Sequence, residues 1–312
     1  MRTTIRRFLA ALATVTFMVA LASCADSGTA PPLPGSADTS RYDAVIAASP
    51  VADPAAITPG SWADKVRQRG TLNVGGTDAG PLFSLKDPAT GKVTGFDAGL
   101  SQMLAHYITG KPTDNTALTI TTVDTRETLL ENGTVDAVFA TYTITPQRAA
   151  KVAFAGPYYS SGDAIMVKAD NTTIRTAADL NGRTVATQAN STAVLALQKA
   201  APGANVLLFQ EDAQCVAAVQ QGRADAYVID QGILISDAST NPAVKVVGEP
   251  FSTEPYGIGL PLNDPTAKAF VNDWLEAIYA DGSWANLWKA TIGTVVSGDP
   301  PAPPAIGSVE GS

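Results

Sequence analysis

Between residues 62 and 293 the chain alternates two hydrophobic rhythms. Short β-prone runs at 71–75, 118–123, 136–140, 164–168, 184–187, 205–209, 226–230 and 244–248 have the length and composition of strands. Among them, apolar side chains recur every three or four residues over 96–109, 125–132, 146–151, 192–200, 213–221, 265–280 and 284–290, the spacing that gives a helix one apolar face. Strand and helix in alternation predict an α/β protein with mostly parallel sheets flanked by helices.

One piece of the pattern recurs. Asn132-Gly133-Thr134-Val135-Asp136-Ala137-Val138 is echoed 89 residues later by Gln221-Gly222-Arg223-Ala224-Asp225-Ala226-Tyr227. Each reads as a helix end, a glycine stop and the start of a strand. Two such units predict two lobes with similar wiring, although a recurring turn in one large sheet gives the same echo. Five residues beyond each aspartate stand Thr141 and Asp230, at carboxyl ends of strands, where open α/β sheets bind ligands.

The ends of the chain differ from its middle. Residues 1–23 carry a basic start and an apolar run too short for a comfortable membrane span, followed by Leu21-Ala22-Ser23-Cys24. This pattern predicts a lipoprotein signal, with lipidation of Cys24 anchoring an extracytoplasmic protein to the membrane; Arg6-Arg7 leaves Tat export open beside Sec. Residues 24–60, rich in Ala, Pro, Ser and Asp, read as a flexible tether, and 294–312 as a disordered tail.

With 312 residues and 45% hydrophobic composition, the chain can build more than one lobe. Its net charge is −8, and removing the segment with Arg2, Arg6 and Arg7 leaves about −11, so nucleic acid is a poor partner for the mature surface. If Cys24 is lipidated, Cys215 has no partner and no intramolecular disulfide is expected. The one histidine, His106, falls in a helical stretch and reads as packing rather than a metal ligand. Zinc motifs, a Ser-His-Asp triad and a phosphate loop all lack their parts, so no metal, cofactor or catalytic residue is expected.

Four stretches, Gly95-Phe96-Asp97-Ala98-Gly99-Leu100, the run from Asp136 to Arg148, Phe154-Ala155-Gly156-Pro157-Tyr158-Tyr159 and Glu254-Pro255-Tyr256-Gly257-Ile258-Gly259, occur in a specific order and spacing. Over residues 70–293 the chain resembles the extracellular solute-binding proteins of family 3, the amino-acid-binding components of ABC importers. The resemblance implies a two-lobe periplasmic-binding-protein-like fold of type II. Lobe one would span 61–159 plus 253–293 and lobe two 160–252, joined by a two-strand hinge at 158–162 and 249–255. It further implies a monomer that closes on a free amino acid and delivers it to an ABC transporter permease.

A free amino acid needs donors for its carboxylate and acceptors for its ammonium. Thr145-Pro146 reads as a helix start, with Arg148 in the first turn. By resemblance, Arg148 forks onto the ligand carboxylate, with Thr141 and Thr143 beside it. Gln188, Ser191 and Thr192 would contribute from lobe two, where Ser191 or Thr192 can equally cap a helix. Asp230 would take the ammonium, or cap the helix beginning near residue 231; Phe83 would pack on the ligand side chain or in the core. Relatives that bind glutamate or aspartate commonly carry a basic residue where this chain has Thr77-Asp78. Together with Gln188, Asp78 therefore keeps a neutral amide such as glutamine open beside glutamate. Two rival readings are a sensor that signals amino-acid availability to a membrane protein and a dehydratase-like enzyme, which would need an acid or base better placed than Asp230 or Asp78.

Overall fold

A computed structural model of the chain describes residues 39–312; the expected signal and Cys24 lie outside the described residues. In chain order the main elements are α1 (Ser40–Ala48), α2 (Trp62–Arg69), β1 (Leu72–Gly76), β2 (Ala79–Gly80), β3 (Ser84–Lys86), β4 (Val93–Thr94), α3 (Phe96–Thr109), β5 (Thr116–Ile120), α4 (Arg126–Glu131), β6 (Ala137–Val138) and α5 (Pro146–Ala149). Then come β7 (Ala153–Ser161), β8 (Asp163–Lys168), β9 (Thr184–Gln188), α6 (Thr192–Ala200), β10 (Asn205–Phe209), α7 (Asp212–Gln220), β11 (Ala226–Asp230), α8 (Gln231–Thr240), β12 (Val244–Val247), β13 (Glu254–Leu260), α9 (Pro265–Ala280) and α10 (Ser283–Ala290).

The strands form two five-stranded sheets, ordered β5-β1-β6-β13-β7 and β10-β9-β11-β8-β12, with β2, β3 and β4 as a small third sheet. In each large sheet the first three strands are parallel and the fourth, β13 or β8, runs antiparallel to both of its neighbours. Each sheet is therefore mixed, with one strand running against the other four, which fits the mostly parallel arrangement expected from the sequence. Of the two reversed strands, β8 falls on the strand expected at 164–168, whereas β13 lies in a segment that the strand pattern leaves unassigned.

The sequence echo is repeated atom for atom. After α4 and α7, Gly133 and Gly222 both adopt φ of 73°, left-handed geometry that ends each helix and that a side chain disfavours. The chain then drops beside a parallel strand of its own sheet, β1 in one case and β9 in the other. Asp136 Oδ2 accepts from Asn73 N–H at 2.7 Å, and Asp225 Oδ2 accepts from Thr184 N–H at 2.9 Å. Each aspartate thus fixes the register of the strand that carries Thr141 or Asp230 onward to the sheet edge.

The chain crosses between sheets twice. Gly162 links β7 to β8, and residues 248–253 link β12 to β13. The crossings are laced together: Glu254 pairs with Ser161, Phe251 N–H donates to Asp163 O at 2.9 Å, and Asp163 N–H donates to Ser252 Oγ at 2.8 Å. On either side lie distinct apolar cores, one containing Phe96, Trp274 and Trp284, the other Met166, Val185 and Tyr227. Each fully buried large side chain contributes about 1.5–3 kcal/mol, so each lobe has its own source of stability.

Both expected flexible ends differ from the structure where it describes them. Residues 39–60 are not a tether: Tyr42 and Ile46, four apart on α1, are buried against α3 and α10, and Tyr42 Oη donates to Gln102 Oε1 at 3.0 Å. The small apolar face of a nine-residue helix inside an Ala- and Pro-rich stretch is enough to dock that helix on an existing core. Residues 294–312 likewise follow lobe one, with Gly307 N–H donating to Gly156 O at 2.9 Å and Ile306 and Val309 packed on apolar clusters. His106 is buried, its Nδ1 3.1 Å from Ser49 Oγ, and burial lowers its pKa.

Candidate binding cleft

A cavity of about 440 Å³ lies between the lobes. From lobe one it is lined by Asp78, Phe83, Thr141, Thr143 and Arg148, and from lobe two by Gln188, Ser191, Thr192 and Asp230. All nine residues singled out from the sequence meet in this one space. The reason is topological: β1, β6, β9 and β11 all point their carboxyl ends at it, and the segments leaving those ends form its wall.

Arg148 sits where its sequence neighbours put it. Thr145 caps α5, its Oγ1 accepting from Arg148 N–H at 3.2 Å, and Pro146 occupies the first turn. The guanidinium donates to Thr143 O at 2.8 Å and, across the cleft, to Asn190 O at 3.4 Å. A guanidinium has five N–H donors, so others remain for a ligand carboxylate. Burial pulls its pKa below the usual arginine value, with the Tyr142 and Asp230 charges pulling the other way.

Thr141 adopts φ of 44°, uncommon for a β-branched residue. It is held there by Asp97, a buried carboxylate on α3 whose Oδ2 accepts from Thr141 N–H at 2.7 Å while Oδ1 accepts from Tyr158 Oη at 2.8 Å. Burial pushes Asp97 up to about 6 and those two bonds pull it down. A carboxylate without a cation, spent on one turn, fixes the backbone next to Arg148.

On the lobe-two wall, neither helix-capping alternative is what the side chains do. Ser191 is at the N-cap position of α6, but its Oγ donates to Gln188 O at 2.8 Å instead of accepting from the helix. Asp230 is at the N-cap position of α8 and makes no side-chain cap bond. It is 4% exposed, and its Oδ1 has no hydrogen-bond partner among the described residues. Burial, then the nearby Glu254 charge, pushes Asp230 up to about 7. A buried, unpartnered carboxylate oxygen in a cavity wall is an acceptor waiting for a cation.

Phe83 resolves toward packing. It is 4% exposed, with its ring 5.8 Å from Tyr159 and 6.1 Å from Tyr256, and it reaches across to α8, where a Cβ on Gly232 would come within 2.9 Å of it. Only its cavity-side edge is available to a ligand.

The residue that sequence reasoning missed is Arg126, at the start of α4. It lines the cavity, is 4% exposed, and stacks on Tyr142 with its Cζ 3.7 Å from the ring centroid; Arg148 approaches the same ring at 5.4 Å. It donates to Ala140 O at 3.3 Å, while its Nε has no hydrogen-bond partner among the described residues. Burial, then repulsion from Arg148, brings it down to about 9. The cation that seemed absent beside Thr77-Asp78 is therefore present, supplied by a different element.

Residues 72–294 match the bacterial extracellular solute-binding proteins, family 3. The chain belongs to that family. It is 40% identical over 197 residues to a glutamine-binding protein of Geobacillus stearothermophilus, spanning 63% of this chain and 74% of that one. With the ABC transporter glutamine-binding protein GlnH of Bacillus subtilis it shares 32% identity over 212 residues, 68% of this chain and 77% of the other. An ancestral arginine-binding protein solved with glutamine bound superposes with a TM-score of 0.65 at 34% identity, covering 72% of this chain and 99% of its own. As a family 3 solute-binding protein, the chain is a binding protein and not an enzyme, and the cleft is read as a ligand site.

In this solute-binding protein the lobes already touch at both rims of the cleft. Leu82 N–H donates to Ser236 Oγ at 2.9 Å on one side; on the other, Asn190 Nδ2 donates to Asp124 Oδ1. Asn190, at φ of 59°, is the tip of the turn that also meets Arg148.

Proposed function

We propose that the protein is an extracytoplasmic receptor for a polar amino acid of the glutamate or glutamine type, lipid-anchored at Cys24, that hands its ligand to an ABC transporter permease. The observation that carries this reading is that Arg148 from lobe one, a fork of donors, and Asp230 from lobe two, an acceptor, line one cavity. A zwitterion held at both ends by different lobes links capture to closure, since the closed arrangement gains contacts that the open one lacks. Arg126 adds a donor suited to a side chain ending in oxygen, carboxylate or amide. The ligands named for the glutamine-binding relatives point to the same class.

A thermal-shift screen of the mature chain against the twenty amino acids tests the reading. L-glutamine or L-glutamate at about 100 times Kd should stabilise the protein by about 2.7 kcal/mol, while N-acetyl-L-glutamate, which lacks the ammonium, should give no shift. If no free amino acid moves the transition, the proposal fails. The anchor has its own check: the full chain expressed in a bacterial host should fractionate with membranes, and Cys24→Ser should appear in the soluble extracytoplasmic fraction. Membrane association unchanged by Cys24→Ser would remove the lipid anchor from the reading.

A further inference from the structure

Beside Asp230, the two hinge crossings bring three carboxyl groups together. Asp230 on β11 is register partner to Asp163, the first residue of β8, and Glu254 opens β13 on the return crossing. Directly opposed residues of an antiparallel pair have Cβ atoms about 4.5–5.5 Å apart. All three side chains are buried, at 4%, 0% and 5% exposure, and each has one carboxyl oxygen without a hydrogen-bond partner among the described residues.

Ser252 counts the protons. Its Oγ accepts from Asp163 N–H at 2.8 Å, and it lies 2.9 Å from Asp163 Oδ2 and 2.9 Å from Glu254 Oε1. A serine hydroxyl has one hydrogen to give. Two ionised carboxylates can only divide that one hydrogen between them, and a carboxyl proton donated to the serine oxygen is the arrangement that satisfies both contacts in full. The other charged and titratable groups facing the cluster are Arg148 from α5, within reach of Asp230 and Glu254, Arg126 from α4, within reach of Asp230, and Tyr256 from β13 beside Asp230. Neither arginine makes an ion pair with the cluster among the described residues.

We propose that the hinge carboxyl cluster holds a proton on Asp163 in the ligand-free protein, that Asp230 is drawn into the same shared protonation, and that capture of an amino acid through Asp230 expels a proton to solvent. The claim rests on the reading of Asp230 as the ammonium anchor. A ligand ammonium at Asp230 adds positive charge beside the cluster and favours its ionised form, so binding and deprotonation support each other. Burial pushes Asp163 up to about 8 and Asp230 up to about 7, with the neighbouring carboxylates adding in both cases. These values lie above the ordinary carboxylate range, so the cluster's contribution to stability is complete below about pH 4 and is lost progressively as pH rises from there through the folded values of about 7 and about 8. Affinity runs the opposite way, falling about tenfold per unit as acid protonates the anchor.

Isothermal titration with L-glutamine and with L-glutamate, at pH 7 in phosphate and in Tris, reads proton release from the dependence of heat on buffer. Release of about half a proton per ligand is expected, because a group titrating near 7 is half ionised there. Glu254→Gln and, separately, Asp163→Asn, whose amides can stand in for a protonated carboxyl, should reduce that release by at least half and move the acid loss of affinity down by a pH unit or more. Carboxyl-carbon NMR of the ligand-free protein supplies a ligand-independent arm, with at least one Asp or Glu titrating between pH 6 and 9 and lost from that range in Asp163→Asn. Buffer-independent heats with normal binding overturn the proposal, as do carboxyls that all titrate below pH 5. Absence of binding by every amino acid would instead strike the proposed function and leave the NMR arm to decide the hinge proton.

Discussion

Replacing Arg148 with alanine should abolish the thermal shift given by L-glutamine or L-glutamate and raise Kd by about 100- to 1,000-fold. Hydrogen bonds to a charged group contribute about 1.5–3 kcal/mol each, and losing a two-pronged contact therefore removes about 3–4 kcal/mol, which is that range of affinity at 1.4 kcal/mol per tenfold. Part of the effect comes through the protein, since Arg148 also ties Thr143 O within its own lobe to Asn190 O in the other. Arg148→Lys separates the two contributions. Lysine keeps the charge but not the planar fork, so it should recover some affinity, to within about tenfold to 100-fold of the native protein, if charge dominates, and almost none if geometry does. Calorimetric titration of both variants, with circular dichroism to show that they fold, measures this. A native shift in Arg148→Ala would move the carboxylate anchor elsewhere, to the exposed N-terminus of α6 or to Arg126.

The parts of this architecture readable from the chain are those whose cause is local. α3 and α9 carry apolar residues at helical spacing and match their expected bounds, and the glycine stops at Gly133 and Gly222 announce their own backbone geometry. β13 was illegible for an equally local reason: Pro255, Gly257 and Gly259 dilute its strand character, and it exists because β6 and β7 flank it, with an irregularity at Tyr256 to Ile258. The small apolar face of α1 was hidden by its Ala-rich surroundings, and only the groove between α3 and α10 gives it a use. Thr141 and Asp230 were found because a repeated turn marked equivalent strand ends. Glu254 and Asp163, 91 residues apart, carry no such mark; the pairing of the two crossings makes them neighbours.

Arg126 shows most clearly what sequence alone withholds, and it supports the second large effect. At the first turn of a short helix, beside Glu127, it looks like a solvated surface arginine. The fold buries it against Tyr142 instead, in the wall of a cavity that Arg148 also lines, and its Nε has no hydrogen-bond partner among the described residues. Two buried guanidinium groups without a carboxylate partner are unfavourable unless something negative joins them, and a ligand side chain is positioned to do so. Arg126→Met keeps much of the length and the packing on Tyr142 while removing the donors. It should weaken L-glutamate by about 100-fold and L-glutamine by about tenfold, because a charge-assisted bond is roughly twice as strong as a neutral one and a buried carboxylate left unpaired suffers more than an amide. Equal losses for the two ligands would assign Arg126 to propping up Tyr142 and the Ala140 carbonyl, and would leave the distinction between acid and amide to the Asp78 and Gln188 wall.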